Sequence, residues 1–347
     1  MHSGPRPGNV RAMHGAEATR RPWARLRGAG WWGLVAWVLL APTVYLGWTV
    51  GDLTVAWSLH AAGVALVVAV WRATRRPADR SPAKRGGRAP PALVALAVAA
   101  VGAGPWLPPL SDPRAPDLAS GAPRLRVMVA NTFYDPPRHE DLTRDIEATG
   151  ASLVALIEPP PGLAGYLAET GRWRVLAEHE PGDKHDIALV LRQDAPVEVL
   201  SAAPVIRAYT PTVTVQARLR WQGQVFTVLA AHPPAPTHPV QQAERLRLIP
   251  ELAAEVRGGS EPALLLADTN TALASPLWRV LAEAGLRRPP GLNPGTWPSP
   301  LGPLGLAIDH VLSTAPFSVT PATPVWLTGS DHRGVVVDVG LPGKTSG

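Results

Sequence analysis

Apolar residues fall into two regimes along this chain. Up to about residue 110 they form long unbroken runs, and after residue 124 they come in short blocks that each end in a polar residue. Residues 31–50 and 53–71 are free of charged side chains. Each run is long enough to cross a bilayer core, which takes about 20 helical residues. Trp31, Trp32, Trp48 and Trp71 stand near their ends, where amphipathic rings favour the headgroup layer. A third run, 91–110, is also uncharged but is interrupted by Gly102, Gly104, Pro105 and Pro108. A re-entrant or interfacial segment is its alternative reading; the expectation is three transmembrane helices.

Beyond residue 124 the period shortens. Strands are expected over 125–130, 152–157, 186–192, 213–221 and 225–231, with Trp221-Gln222-Gly223-Gln224 as a hairpin turn. A strand is also expected through Leu264, Leu265 and Leu266, and two more begin or end at Asp309-His310 and Asp331-His332. Helical periodicity marks 140–149, 239–256 and 275–284. Successive strands from 186 to 231 have no helix between them, which argues against a doubly wound parallel sheet.

The polar residues that end these strands carry the candidate chemistry. Asn131, Glu158, His232, Asp268, Asn270, Asp309, Asp331 and His332 all sit at strand ends or just beyond. Asp268 and Asn270 are two apart and leave their strand on one side. Taken alone, Asp268-Thr269-Asn270 could equally be a turn capping the next helix. Carboxylates with an Asn suit a hard cation such as Mg²⁺, and histidines suit proton transfer or contact with a phosphoryl oxygen. His139, His179, His185, His238 and His310 read as surface or strand-end residues, and Asp186 as a support for His232. A zinc site from His232 and His238 is disfavoured by the intervening Pro233, Pro234 and Pro236.

Charge divides the chain at the same place as hydropathy. The formal net charge is +6, yet residues 1–110 sum to +10 and the remainder to −4, so the catalytic candidate region offers no broad attraction to nucleic acid. An Arg-rich tail over 1–30 and a basic loop over 72–88 belong on the cytoplasmic side. Three crossings then place everything after residue 110 outside. Arg20-Arg21 only faintly suggests a twin-arginine export signal. Residues 111–123, with Pro113, Pro116 and Pro123, read as a linker, and 342–347 as a tail. Cysteine is absent, which excludes disulfides and thiolate metal sites.

The order of motifs resembles the endonuclease/exonuclease/phosphatase superfamily over 124–341. Val-Ala-Asn131 is similar to the family's first-strand Asn, Leu-Ile-Glu158 to its metal-binding Glu, and Ala-Ala-His232-Pro to its strand-end His. Ala-Asp268-Thr-Asn270 resembles Gly-Asp-Phe-Asn, with Ala267 for Gly and Thr269 for the aromatic. Thr296-Trp297-Pro298, Ile308-Asp309-His310-Val311 and Ser330-Asp331-His332 resemble the closing motifs. The resemblance implies a four-layer α/β sandwich, two mostly antiparallel sheets flanked by helices, here preceded by the three spans. It implies Asn131, Glu158 and Asp331 as metal ligands for Mg²⁺, with Mn²⁺ also suited. It further implies His232, Asp268, Asn270, Asp309 and His332 as catalytic residues, with the general base open between Asp268 and His332.

The function expected is a membrane-anchored, Mg²⁺-dependent phosphodiesterase or phosphatase. Its partners would be the lipid bilayer and a lipid headgroup or small phosphoester outside the cytoplasm. An extracytoplasmic nuclease and a non-catalytic membrane scaffold that retains the fold are the alternatives; no protein partner is inferred.

Overall fold

The computed structural model describes Trp57 and residues 114–134, 139–181, 185–207, 210–273 and 275–341. The basic tail, the three expected spans apart from Trp57, the start of the linker and the C-terminal tail lie outside the described residues. No helix among the described residues is long and apolar enough to cross a membrane.

In chain order the first half forms β1 (Leu125–Asn131), α1 (His139–Ala148), β2 (Leu153–Ile157), α2 (Leu163–Glu169), β3 (Trp173–His179), β4 (Ile187–Arg192) and β5 (Glu198–Arg207). Then come β6 (Thr210–Trp221), β7 (Gln224–Ala231), α3 (Pro239–Gly258), β8 (Ala263–Asp268) and α4 (Leu277–Glu283). A 3-10 segment (Ser299–Leu304) precedes β9 (Asp309–Ser313), β10 (Ser318–Val319), β11 (Thr323–Trp326) and β12 (Arg333–Gly340).

These strands make two mixed sheets. One is seven-stranded in the order β10-β12-β1-β2-β4-β3, with β11 also on β12; the other is five-stranded in the order β5-β6-β7-β8-β9. Each contains one parallel pair, β1 with β2 and β7 with β8, and is otherwise antiparallel. The parallel pairs arise because α1 and α3 carry the chain back across the sheet, as a parallel connection requires.

Period-two alternation explains the layers. Val127 and Val129 of β1 join Leu264 and Leu266 of β8 in one core between the sheets, where Phe226 meets Phe317 edge-on with centroids 5.5 Å apart. Met128 and Ala130 face the other way, onto Leu142 and Ile146 of α1 and Leu163 and Leu167 of α2. Leu265 and Ala267 likewise face Leu248 and Leu252 of α3 and Leu281 of α4. Helix, sheet, sheet, helix is therefore the layer order, and strands with both faces buried read as continuous apolar runs.

The described part of the expected linker lies against the domain. Ala115 is buried and its N–H donates to Arg288 O, while Leu118 N–H donates to Val319 O. Both contacts fix the chain at the edge where β1 begins.

Candidate active site at the seam of the two sheets

Alternation also decides which polar groups meet. Asn131 continues the inward-facing positions Val127 and Val129, and Asp268 continues Leu264 and Leu266. The two side chains therefore face each other across the seam, and Asn131 Nδ2 donates to Asp268 Oδ2 at 3.0 Å. His232 follows the inward series Phe226, Val228 and Ala230 of β7. Asp309 is the register partner of Asp268 on β9. Glu158 follows β2 beside β4, its N–H donating to Asp186 O at 3.0 Å. Both sheets thus present their chemistry at one common edge.

Asp309 and His332 form the buried centre of the site. His332 Nδ1 lies 2.9 Å from Asp309 Oδ2 and 3.7 Å from Asp268 Oδ2. Ser330 holds the ring's backbone in place, since its Oγ accepts from His332 N–H at 2.9 Å and donates to Asn131 O at 2.8 Å. Thr296 Oγ1 accepts from the N–H groups of Ile308 and Asp309 at 3.1 and 3.2 Å, fixing the start of β9. Burial disfavours the imidazolium of His332, but Asp309 and Asp268 outweigh it and push the ring up to about 10. Burial, and then the charge of Asp309, push Asp268 up to about 8 against the opposing influence of His332.

The second layer of contacts shapes the loop after β8. Asn270 adopts φ 45; its N–H donates to Asp268 Oδ1 at 2.9 Å. Its Nδ2 donates to Pro233 O at 3.0 Å and lies 3.2 Å from His232 Nε2. Beneath the loop is Arg245 of α3, fully buried, donating to Asn270 O at 2.6 Å, Thr271 Oγ1 at 3.0 Å and Gln242 Oε1 at 2.9 Å. Among the described residues, four non-glycine residues have positive φ, and three of them, Phe133, Glu158 and Asn270, are at this edge. Such clustering of strained backbone marks a site whose geometry the surrounding fold imposes.

A cavity of about 340 Å³ opens here, lined by Glu158, His232, Asp268, Asn270, Asp331 and His332. Lining residues that the sequence reading did not single out as site residues include Trp57, Phe133, Tyr134, His185 and Trp297. None of the described lining residues is Lys or Arg. Glu158 Oε1 is 3.5 Å from His232 Nε2. Asp331 accepts from Trp297 Nε1 at 2.9 Å through Oδ2, and its Oδ1 is 3.9 Å from His332 Nε2. Asp268, Asp309 and His332 bring one ligand atom each within 4.8 Å of one another and could hold a metal ion. The carboxylates more open to solvent are Glu158 and Asp331, with side chains 14% and 45% exposed against 1% for Asp268 and 0% for Asp309.

All eight expected residues therefore come to one edge. Asn131 is spent largely within the protein, since its Oδ1 also accepts from Phe133 N–H at 3.1 Å. Two of the histidines read as surface or strand-end residues stand beside strand starts, His185 before β4 and His310 in β9. His185 lines the cavity, and the β2–β4 register, which pairs Ile157 with Ile187, carries the signal for it. His310 is buried against Trp278, ring centroids 4.6 Å apart, and burial pushes it down to about 4. His238 caps α3 by accepting from Val240 N–H at 3.3 Å.

Residues 128–332, more than half of the chain, match the Endonuclease/Exonuclease/phosphatase family. The chain belongs to that family. Members of the endonuclease/exonuclease/phosphatase family are divalent-metal-dependent phosphoester hydrolases, and this chain is one by membership. Solved structures agree on the fold. A humanized D. rerio TDP2 is 16% identical, with a TM-score of 0.52 over 62% of this chain and 98% of its own. A Bacteroides thetaiotaomicron mannosyl-6-phosphatase is 14% identical, with a TM-score of 0.50 over 62% of this chain and 99% of its own. A protein from Enterococcus faecalis is 16% identical, with a TM-score of 0.53 over 63% of this chain and 100% of its own. No curated protein matches the sequence significantly.

Proposed function

We propose that this family member is a membrane-anchored, Mg²⁺-dependent phosphoesterase acting outside the cytoplasm on a lipid headgroup or small phosphoester. The observation that carries the substrate class is the cavity, which gathers acids and histidines without a single described Lys or Arg. Nucleic acid binding relies on many such cations to track the backbone. The three apolar runs and the basic segments flanking them support the anchor and its orientation.

The donor set fits a hard divalent cation. Glu158, Asp268, Asp309 and Asp331 bring four carboxyl groups to one edge, and oxygen donors are what Mg²⁺ prefers. We assign the metal to Glu158 and Asp331, with Asn131 Oδ1, which keeps a lone pair beyond its bond from Phe133. The Asp268, Asp309 and His332 group is already joined by its own hydrogen bond and charge, and Asp309 is closed to solvent. Mn²⁺ suits the same oxygen set. The bound metal supplies charge neutralisation at the phosphoryl oxygens.

In hydrolysis a water oxygen bonds to phosphorus as the ester P–O bond breaks. One water proton is taken up at the site and the departing oxygen gains one. Asp268, with its raised proton affinity, is placed to accept from water. His332 is held as imidazolium by Asp309, leaving Nε2 to donate to a phosphoryl or departing oxygen. His232 and Asn270 lie together, 3.2 Å apart, and are placed to contact the remaining phosphoryl oxygens.

The test is a steady-state assay of the full-length protein with Mg²⁺ on bis-4-nitrophenyl phosphate, a phospholipid and DNA. Turnover of the first two that is abolished by chelation and restored by Mg²⁺ is expected; preference for DNA would replace this reading with a nuclease. A reporter active only outside the cytoplasm, fused after Leu341, should be active. Activity solely from a cytoplasmic reporter would reverse the orientation.

A further inference from the structure

Among the described residues before Arg114 there is one, Trp57, and it lines the catalytic cavity together with Phe133 and Tyr134. Four of the twenty lining residues are aromatic, in a chain that is 6% aromatic overall. Phe133 holds φ 58, a conformation that a bulky side chain rarely adopts and that costs about 1–2 kcal/mol. Asn131 fixes it there by accepting the Phe133 N–H. The adjoining Tyr134, with ring centroid 5.6 Å from that of Phe133, stays 45% exposed although it lines the cavity. Pro234 and Pro236 continue the apolar surface beside His232.

The cavity thus carries aromatic and proline side chains as well as ionisable ones. A substrate that is polar throughout would leave the aromatic side chains without a counterpart. Trp57 comes from the apolar run 53–71, four residues inside its start. Tryptophan near the end of a spanning segment lies at headgroup depth.

We infer that Trp57 is a substrate-binding residue supplied from outside the catalytic domain, and that the site takes amphiphilic phosphodiesters. The phosphate sits among Glu158, Asp331, His232 and His332, and the apolar substituent lies along Trp57, Phe133 and Tyr134. This rests on the phosphoesterase reading above and narrows it to one class of ester. It also makes the catalytic domain without residue 57 an incomplete enzyme toward such substrates.

The test compares 4-nitrophenyl methyl phosphate with 4-nitrophenyl hexyl phosphate, both below micelle-forming concentrations, on the full-length protein. The two share leaving group and reacting bond, so kcat/KM differences report the tail. We expect the hexyl ester to be favoured by at least about tenfold, since methylenes in an apolar pocket carry such discrimination. Trp57→Ala should bring the ratio to within about twofold of one, mainly through KM for the hexyl ester, and Trp57→Phe should retain most of it. If wild type hydrolyses neither ester, the phosphodiesterase reading itself fails. If it hydrolyses both with a ratio near one, or the ratio survives Trp57→Ala, the inference is overturned while that reading stands. Should Trp57→Ala be inactive on both, Trp57→Gln and Trp57→Ser decide: a ratio near one supports the assignment, and a ratio unchanged from wild type overturns it.

Discussion

Asn at position 309 would keep the shape of the site and remove the charge that sets the state of His332. The Asp309 carboxylate is fully buried and 2.9 Å from His332 Nδ1, so its charge lies about 4 Å from that of the ring. At an effective dielectric of about 20, two unit charges at that distance interact by ~4 kcal/mol. That equals about three pKa units. Burial opposes the imidazolium throughout, so removing Asp309 should bring His332 from about 10 to about 7. Because the folded pKa is raised, protonation is favoured below it; lowering it empties the imidazolium across pH 7–10. The alkaline limb of the pH–rate profile should therefore move to lower pH by about three units. Together with loss of ring orientation, the rate at pH 8 should fall roughly 10²–10⁴-fold, the range that acid–base groups contribute. The imidazole resonances of His332 in NMR titration check the same shift independently. Asp309→Asn combined with His332→Ala should be within about threefold of His332→Ala alone, because the two act as a unit. Multiplicative losses, or an alkaline limb that stays near pH 10, would refute the reasoning.

Three further outcomes follow from other parts of the structure. Glu158→Gln removes a ligand charge with little change in volume, so circular dichroism should be unchanged while Mg²⁺-dependent turnover falls by about 10²-fold or more; full activity would take Glu158 out of the metal site. Arg245→Met leaves Asn270 O, Thr271 Oγ1 and Gln242 Oε1 without their donor, which should cost about 2–4 kcal/mol in urea unfolding and lower kcat more than it raises KM. Phe226→Ala opens a cavity between the sheets beside Phe317, and should cost about 3–5 kcal/mol by the same measurement while leaving Mg²⁺ affinity intact.

Whatever has a period or a fixed position on a strand is legible in the sequence. The apolar blocks through Val127–Val129 and Leu264–Leu266 alternate faces, and the polar residue that ends each block inherits the inward side. Hence the pattern alone groups Asn131, His232 and Asp268. β5 is hidden because Pro204 interrupts its pattern and it lies at a sheet edge where proline is tolerated. β3 has mostly half-buried positions, so its alternation is faint, and α2 has seven residues, too few to display a helical period. Arg245 escapes for a different reason. An Arg in a polar helical stretch reads as solvent-facing, and only the fold of the loop after Asp268 brings Asn270 O and Thr271 Oγ1 to it. Trp57 belongs to no local pattern that points at the cavity; its place depends on contacts distant in sequence.

The register of β1 with β12 pairs Leu125 with Val339. The domain's first and last strands are neighbours, and their outer ends lie at the edge opposite Asn131 and His332. The Gln222-Gly223 hairpin turn lies at that same far edge, because β7 runs from it toward His232. A circular permutant that links Gly340 to Arg124 and opens the chain at this turn would keep its new termini about 20 Å from the chemistry. The same geometry makes the outer end of β12 the natural handle for surface immobilisation, with the catalytic edge facing outward from the support.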